Sequence, residues 1–185
     1  PQKREQGRVC SYCCAREADE LSAFLLLIES DNHYRVDEVM KRSASEVTER
    51  VTFVADNYVE RGPFIRKYLK FGPGVGSAYA VIHQAQEQGT YLSHLPRIYA
   101  VYLLKDELVV VMEYLRGETL QDAVLRCGPS FQLAQETFPQ VCEAVRELHE
   151  YFNPPLIHRD LKPANIVLSN GRVFLIDFGI ARVYR

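Results

Sequence analysis

The sequence predicts an α+β fold in two parts, an antiparallel sheet of about five strands carrying one helix and then a mainly helical portion. Three observations lead there. Segments rich in β-branched and aromatic residues follow one another through the first half: "YRVDEV", "VTERVTFVAD", "NYVERGPFIRKYLKF", "RIYAVYLL" and "ELVVVMEYL". One helical pattern, "GSAYAVIHQAQEQGTYL", interrupts them. Beyond "EYLRGE" the apolar spacing turns helical, and the chain then closes on two short strands around Asn170-Gly171.

Taken in order, residues 1–33 form an extension whose "READELSAFLLLIES" segment predicts a short helix, with positions 21, 24, 25 and 28 on one face. The five strand segments come next. In the helix between them, Ser77 is the expected N-cap, and Ala80, His83, Glu87 and Tyr91 share a face. The preceding "FGPGVGSA" lacks G-x-G-x-x-G spacing and is expected to be a flexible connection. Thr119 can cap "LQDAVLR"; in "FQLAQETFPQVCEAVRELHEYF", Val141, Val145 and Leu148 share a stripe, and Pro139 implies a kink or a restart capped by Thr137.

Composition sets limits on function. The chain has 185 residues, 47% hydrophobic and 25% charged, with a formal net charge of −2, so no basic field draws nucleic acid. The longest apolar run, "AFLLLI", is far below the roughly 18–20 residues a membrane span needs, and the opening "PQKREQGRVC" has no adjoining apolar stretch that would make it a signal peptide. Five cysteines, an odd count without an export signal, favour reduced thiols and a cytoplasmic location. "CSYCC" has one pair at metal-ligand spacing and no second pair, so plain thiols are expected there.

The closing stretch carries the chemistry. Asn170-Gly171 suits a two-residue type I′ turn, because both central positions need positive φ. Counting back pairs Leu168 with Val173, Val167 with Phe174 and Ile166 with Leu175, which delivers Asn165 and Asp177 together at the open end. An amide oxygen and a carboxylate are hard ligands of the type Mg²⁺ takes beside phosphates. Asp160 and Lys162 stand just upstream, so one tight loop can gather a carboxylate, an ammonium and a metal ligand, which suits phosphoryl transfer.

"HRDLKPAN" followed by "DFG" resembles the catalytic loop and metal-binding motif of eukaryotic-type protein kinases, and the "DLKP" context resembles the serine/threonine type. The resemblance covers roughly residues 34–185 and implies a two-lobe protein-kinase-like fold: an N-lobe over 34–113, then a hinge and partial C-lobe over 114–185. By that resemblance Asp160 handles the substrate hydroxyl proton, Lys162 steadies the transferring phosphate, and Asn165 and Asp177 bind Mg²⁺. His158 and Phe178 would link the lobes, and Arg159 points to an activation segment ordered by phosphorylation.

For ATP, the resemblance implies that Lys67 holds the α/β-phosphates and pairs with Glu87, with Lys70 the weaker alternative to Lys67. Ile65 takes the place of the usual small alanine. Met112 falls in the gatekeeper position, Glu113 to Leu115 form the hinge, and Val167 completes the nucleotide set. One departure is plain: "VMKRSASEVTERV" stands where the glycine-rich loop belongs and contains no glycine. The expected function is transfer of the γ-phosphate of Mg-ATP to a protein Ser or Thr, by a catalytic domain that is incomplete and inactive as it stands. The alternative is a pseudokinase or nucleotide-binding scaffold. A small-molecule kinase of the aminoglycoside-phosphotransferase type shares the fold but fits these motifs less well. Oligomeric state is not legible.

Overall fold

The computed structural model describes residues 33–55 and 58–184. The extension, its expected helix and the Cys10/Cys13/Cys14 cluster lie outside the described residues, apart from His33. Five strands, β1 (Tyr34–Arg42), β2 (Glu46–Val54), β3 (Glu60–Lys70), β4 (Ile98–Leu104) and β5 (Glu107–Glu113), form one antiparallel sheet in the order β1-β2-β3-β5-β4. Helix α1 (Ser77–Glu87) lies between β3 and β4 in the chain. Val109, Val110 and Val111 of β5 are fully buried, since this strand is covered on both faces and its β-branched side chains suit a pleated surface.

The two faces of β3 have different tasks. Phe64, Arg66 and Tyr68 point to one side, where Arg66 is buried against Glu49 at 2.9 Å and stacks on Tyr34 and Tyr68. Ile65, Lys67 and Leu69 alternate to the other side, toward α1 and the second lobe.

Beyond the sheet come β6 (Glu118–Thr119), α2 (Leu120–Cys127), α3 (Phe131–Glu150), β7 (Leu156–Ile157), a 3₁₀ turn (Pro163–Asn165), β8 (Ile166–Ser169), β9 (Arg172–Leu175) and β10 (Arg182–Val183). Thr119 caps α2 as expected, its hydroxyl accepting from the Asp122 N–H at 3.0 Å. The α3 stripe also holds, with Leu148 buried and Val141 and Val145 packed against the core. Helix α3 neither breaks nor restarts at Pro139. Thr137 is not a cap; its hydroxyl donates back to the Leu133 carbonyl at 2.7 Å. The carbonyl that Pro139 leaves without an N–H belongs to Gln135, an exposed residue of the helix.

Helix α1 differs from expectation. Gly76, in the left-handed region at φ 67°, occupies the cap position, with no side-chain cap. The dihedral favours glycine, and a Cβ there would also meet the Leu108 Cδ2 methyl at 2.4 Å and force that side chain to shift. The buried face is Ala78, Tyr79, Ile82 and Gln86, whereas Ala80, Glu87 and Tyr91 are exposed. Spacing at three and four residues defines a stripe but does not say which stripe faces in; the larger apolar side chains of Tyr79 and Ile82 decide it.

One core spans both lobes, running from Tyr79 and Ile82 through Ile98 and Met112 to Leu148, Leu175 and Phe178. Glu147 of α3, itself buried, ties the lobes further by accepting from the Ser93 N–H at 2.7 Å and the His94 N–H at 3.1 Å. Among the described residues no helix is long and apolar enough to cross a membrane.

Candidate active site

A cleft of about 430 Å³ opens between the sheet and the C-terminal strands. Met40, Lys41, Glu46, Thr48, Ile65 and Lys67 line its sheet side, Met112 to Leu115 its back, and Lys162, Asn165, Val167 and Asp177 its floor.

The floor forms as local chemistry dictates. Asn170 and Gly171 both have positive φ, 50° and 74°, and the strands pair Leu168 with Val173, Val167 with Phe174 and Ile166 with Leu175. Asn165 and Asp177 thus reach the same end, where the Ile176 N–H donates to the Asn165 carbonyl at 3.0 Å. Asn165 is buried, and its Nδ2 donates to the Asp160 carboxylate at 2.8 Å and the Asp160 carbonyl at 2.9 Å. With the amide nitrogen so engaged, Oδ1 is the atom left to offer a cation.

Lys162 donates to Asp160 Oδ2 at 2.7 Å. That hydrogen bond, with the one from Asn165, lowers the Asp160 carboxyl from its ordinary value despite some opposing desolvation. Asp160 is therefore an ionised acceptor at neutral pH, suited to orienting a hydroxyl. His158 fixes the loop from below: burial lowers its pKa, so the ring is neutral. Its Nδ1 accepts from the Asp160 N–H at 3.2 Å, leaving Nε2–H to donate to the Ile176 carbonyl at 3.0 Å. Phe178 stacks edge-on against His158 and Tyr79, with centroids 5.1 and 5.8 Å apart. The Phe178 N–H donates to the Tyr79 hydroxyl at 3.0 Å. The interlobe packing expected of His158 and Phe178 is present, and Tyr79, which the sequence did not single out, completes it.

In the sheet, Lys67 reaches into the cleft, 7% exposed, while Lys70 ends β3 exposed to solvent. The expected Lys67–Glu87 pair does not form. Glu87 sits on the outer side of α1, paired with Arg97, and does not line the cleft. Lys67 Nζ instead donates to Glu46 Oε1 at 2.8 Å and Asp177 Oδ1 at 3.1 Å. Glu46 is the residue that sequence reasoning missed. Period-two alternation in "EVTERV" puts Glu46 and Thr48 on one face, and the Thr48–Lys67 register makes Glu46 the diagonal neighbour of Lys67. Without that register the signal is silent.

Burial acts to raise the Glu46 carboxyl, but the Lys67 charge and hydrogen bonds from Lys41, Lys67 and Thr48 outweigh it and hold Glu46 at about 2. Burial likewise works against the Lys67 ammonium, yet Tyr79, Asp177 and Glu46 around it keep its pKa raised.

The turn over the cleft, residues 43–45, has its own geometry. The Ser43 N–H donates to the Glu46 carbonyl at 2.8 Å, and the Ser43 hydroxyl accepts from the Ser45 and Glu46 N–H groups at 3.4 and 3.1 Å. These amides are committed within the turn. Lys41 and Lys67 provide positive charge below it, with Lys41 Nζ 3.9 Å from Asp177. The "FGPGVGSA" segment does not line the cleft; its Gly76 N–H donates to the Gly179 carbonyl at 3.0 Å.

A Mg²⁺–nucleotide fits the chemistry present. Asn165 and Asp177 offer hard oxygens on one side, two ammonium groups face the phosphate region, and Ile65, Met112 and Val167 make an apolar slot toward the hinge. Ile65 lines this slot without closing it.

The two lobes, with Lys162, Asn165 and Asp177 on one cleft floor and Asp160 bonded beside them, are the arrangement that "HRDLKPAN" and "DFG" led one to expect. Residues 82–185, more than half of the chain, match the protein kinase domain family, and the chain belongs to it. It is 39% identical over 105 residues to calmodulin-binding receptor-like cytoplasmic kinase 2 of Arabidopsis thaliana, covering 54% of this chain and 25% of that protein. It is 37% identical over 115 residues to serine/threonine-protein kinase PknB of Mycolicibacterium smegmatis, covering 57% and 18%. It is 34% identical over 100 residues to myosin light chain kinase family member 4 of Homo sapiens, covering 50% and 24%. The chain spans about a quarter or less of the length of these relatives.

Proposed function

We propose that this protein is a serine/threonine protein kinase that transfers the γ-phosphate of Mg-ATP to a protein hydroxyl. The observation that carries the reading is Lys162, Asn165 and Asp177 on one cleft floor facing Lys67, with Asp160 hydrogen-bonded to Lys162 and Asn165. Mg-ATP supplies the phosphoryl group and a metal charge that neutralises it. Asp160, ionised and held by Lys162 and Asn165, orients the acceptor hydroxyl and takes its proton. Lys162 adds positive charge beside that carboxylate, and Asn165 Oδ1 and the Asp177 carboxylate hold the metal. Lys67 binds the α/β-phosphates, and Met112, Glu113, Leu115 and Val167 enclose the base. The Ser/Thr preference is supported by Lys162 within "DLKP" and by the names of relatives such as PknB. The protein substrate and a cytoplasmic setting belong to the same proposal.

The test is transfer of radiolabelled phosphate from Mg-ATP to the full-length protein itself or to generic Ser/Thr substrates, with Asp160→Asn as the control. Transfer that depends on Asp160 supports the reading; silence in both proteins, or equal transfer by both, refutes it.

One observation favours a second reading, a nucleotide-binding module without transfer. The amides of Ser43, Ser45 and Glu46, which lie where a glycine-rich loop would cover phosphates, are already hydrogen-bonded. This reading predicts fluorescent-ADP binding with no transfer in the same assays.

A further inference from the structure

We propose that Glu46 is the positioning residue for Lys67, acting from the neighbouring strand in place of a helix carboxylate. The proposal rests on the phosphoryl-transfer reading above.

Lys67 is nearly enclosed, and a buried ammonium keeps its charge and orientation only beside a carboxylate. Its hydrogen-bonded carboxylates are those of Glu46 and Asp177. Asp177 belongs to the metal pair and cannot serve Lys67 and a cation equally. Helix α1 has no substitute: its buried positions are Ala78, Tyr79, Ile82 and Gln86, its first turn has no acidic residue, and Glu87 is engaged with Arg97 on the far side. Tyr79, fully buried, offers a hydroxyl and not a carboxylate, and that hydroxyl accepts from the Phe178 N–H.

Glu46 is built for the task. Oε1 accepts from Lys67 and from the Thr48 hydroxyl, the latter at 3.0 Å, while Oε2 accepts from Lys41 at 2.6 Å. Both oxygens are engaged, and the negative charge is shared by two ammonium groups, so it is screened from anionic phosphates. Because the Thr48–Lys67 register sets the pair, the position of Lys67 depends on the sheet and not on where α1 stands.

The test compares Glu46→Gln, Glu46→Asp and Glu87→Gln in the full-length protein by two readouts. Without nucleotide, acylation of Lys67 at pH 8 is followed by peptide mass spectrometry. With Mg-ATP, kcat and KM are measured. Loss of the carboxylate removes the hydrogen bond that holds the Lys67 side chain enclosed in the cleft, so Glu46→Gln is expected to label about tenfold faster. Its kcat is expected to fall about 100-fold, with a smaller change in KM. Glu46→Asp recovers part of both, and Glu87→Gln matches wild type.

Wild-type labelling in Glu46→Gln overturns the proposal. So does tighter nucleotide binding with faster turnover, which would make Glu46 an occluding group. If Glu46→Gln does not fold, Glu46→Asp decides: labelling and kcat at wild-type values overturn the proposal, and intermediate values support it. If wild type shows no Asp160-dependent transfer, the phosphoryl-transfer reading fails, while the labelling comparison still decides the role of Glu46.

Discussion

The floor and the roof of the cleft are built by opposite means. The floor, from His158 to Phe178, gathers its groups through a tight loop and one hairpin, so each functional contact spans a short stretch of chain. The roof joins residues from three strands: Lys41 of β1, Glu46 of β2 and Lys67 of β3, meeting Asp177 from far along the chain. The family match covers the floor and begins within α1, so Glu46 and Lys67 precede it. Local geometry made the floor readable. The roof depended on strand register and on which helix face turned inward.

The sharpest break in this comparison is at the floor. Asp160→Asn keeps the shape of the side chain and removes its charge, and is expected to reduce transfer by about 10²- to 10⁴-fold, as measured by radiolabel incorporation. Next is the link between the regions. Tyr79→Phe removes the acceptor of the buried Phe178 N–H and is expected to cost about 1–3 kcal/mol in denaturant unfolding. A loss well below that range would mean that Phe178 is held by ring packing alone.

The hairpin offers a local test. Gly171, at φ 74°, has open space around a would-be Cβ, so Gly171→Val is penalised by the dihedral alone. The expected loss is about 1–2 kcal/mol in the same experiment. The smallest effect on stability belongs to the roof. Glu46 has a folded pKa of about 2 against an ordinary 4.5, so its contribution to stability is complete above the ordinary value. That contribution is lost as pH falls toward the folded value. Glu46→Gln is therefore expected to flatten the stability–pH curve between those limits and to leave its slope unchanged at neutral pH.

Much of the fold was legible in particular residues. The β-branched runs marked all five strands, Thr119 marked the start of α2, and Asn170-Gly171 specified a register that paired the hairpin residue by residue. Helix α1 was found, but its inward face was misassigned, because Glu87 and Tyr79 lie on different stripes of one turn pattern and only packing chooses between them. The kink or Thr137-capped restart expected at Pro139 gives no restart: one helix continues through it, with Gln135, four residues before it, exposed.

By itself, then, the sequence determined what short-range chemistry specifies: strand and helix types, the turn at Asn170-Gly171 and the grouping of Asp160, Lys162, Asn165 and Asp177. These depend on dihedral preference and on spacing over a few residues, which the chain carries wherever it folds. Tertiary structure alone decided that Lys67 meets Glu46, that Tyr79 holds Phe178, and that Glu87 turns outward to Arg97. Each of these contacts depends on register or on a choice of buried face, which the competition for the shared core settles only when sheet, helix and hairpin pack together.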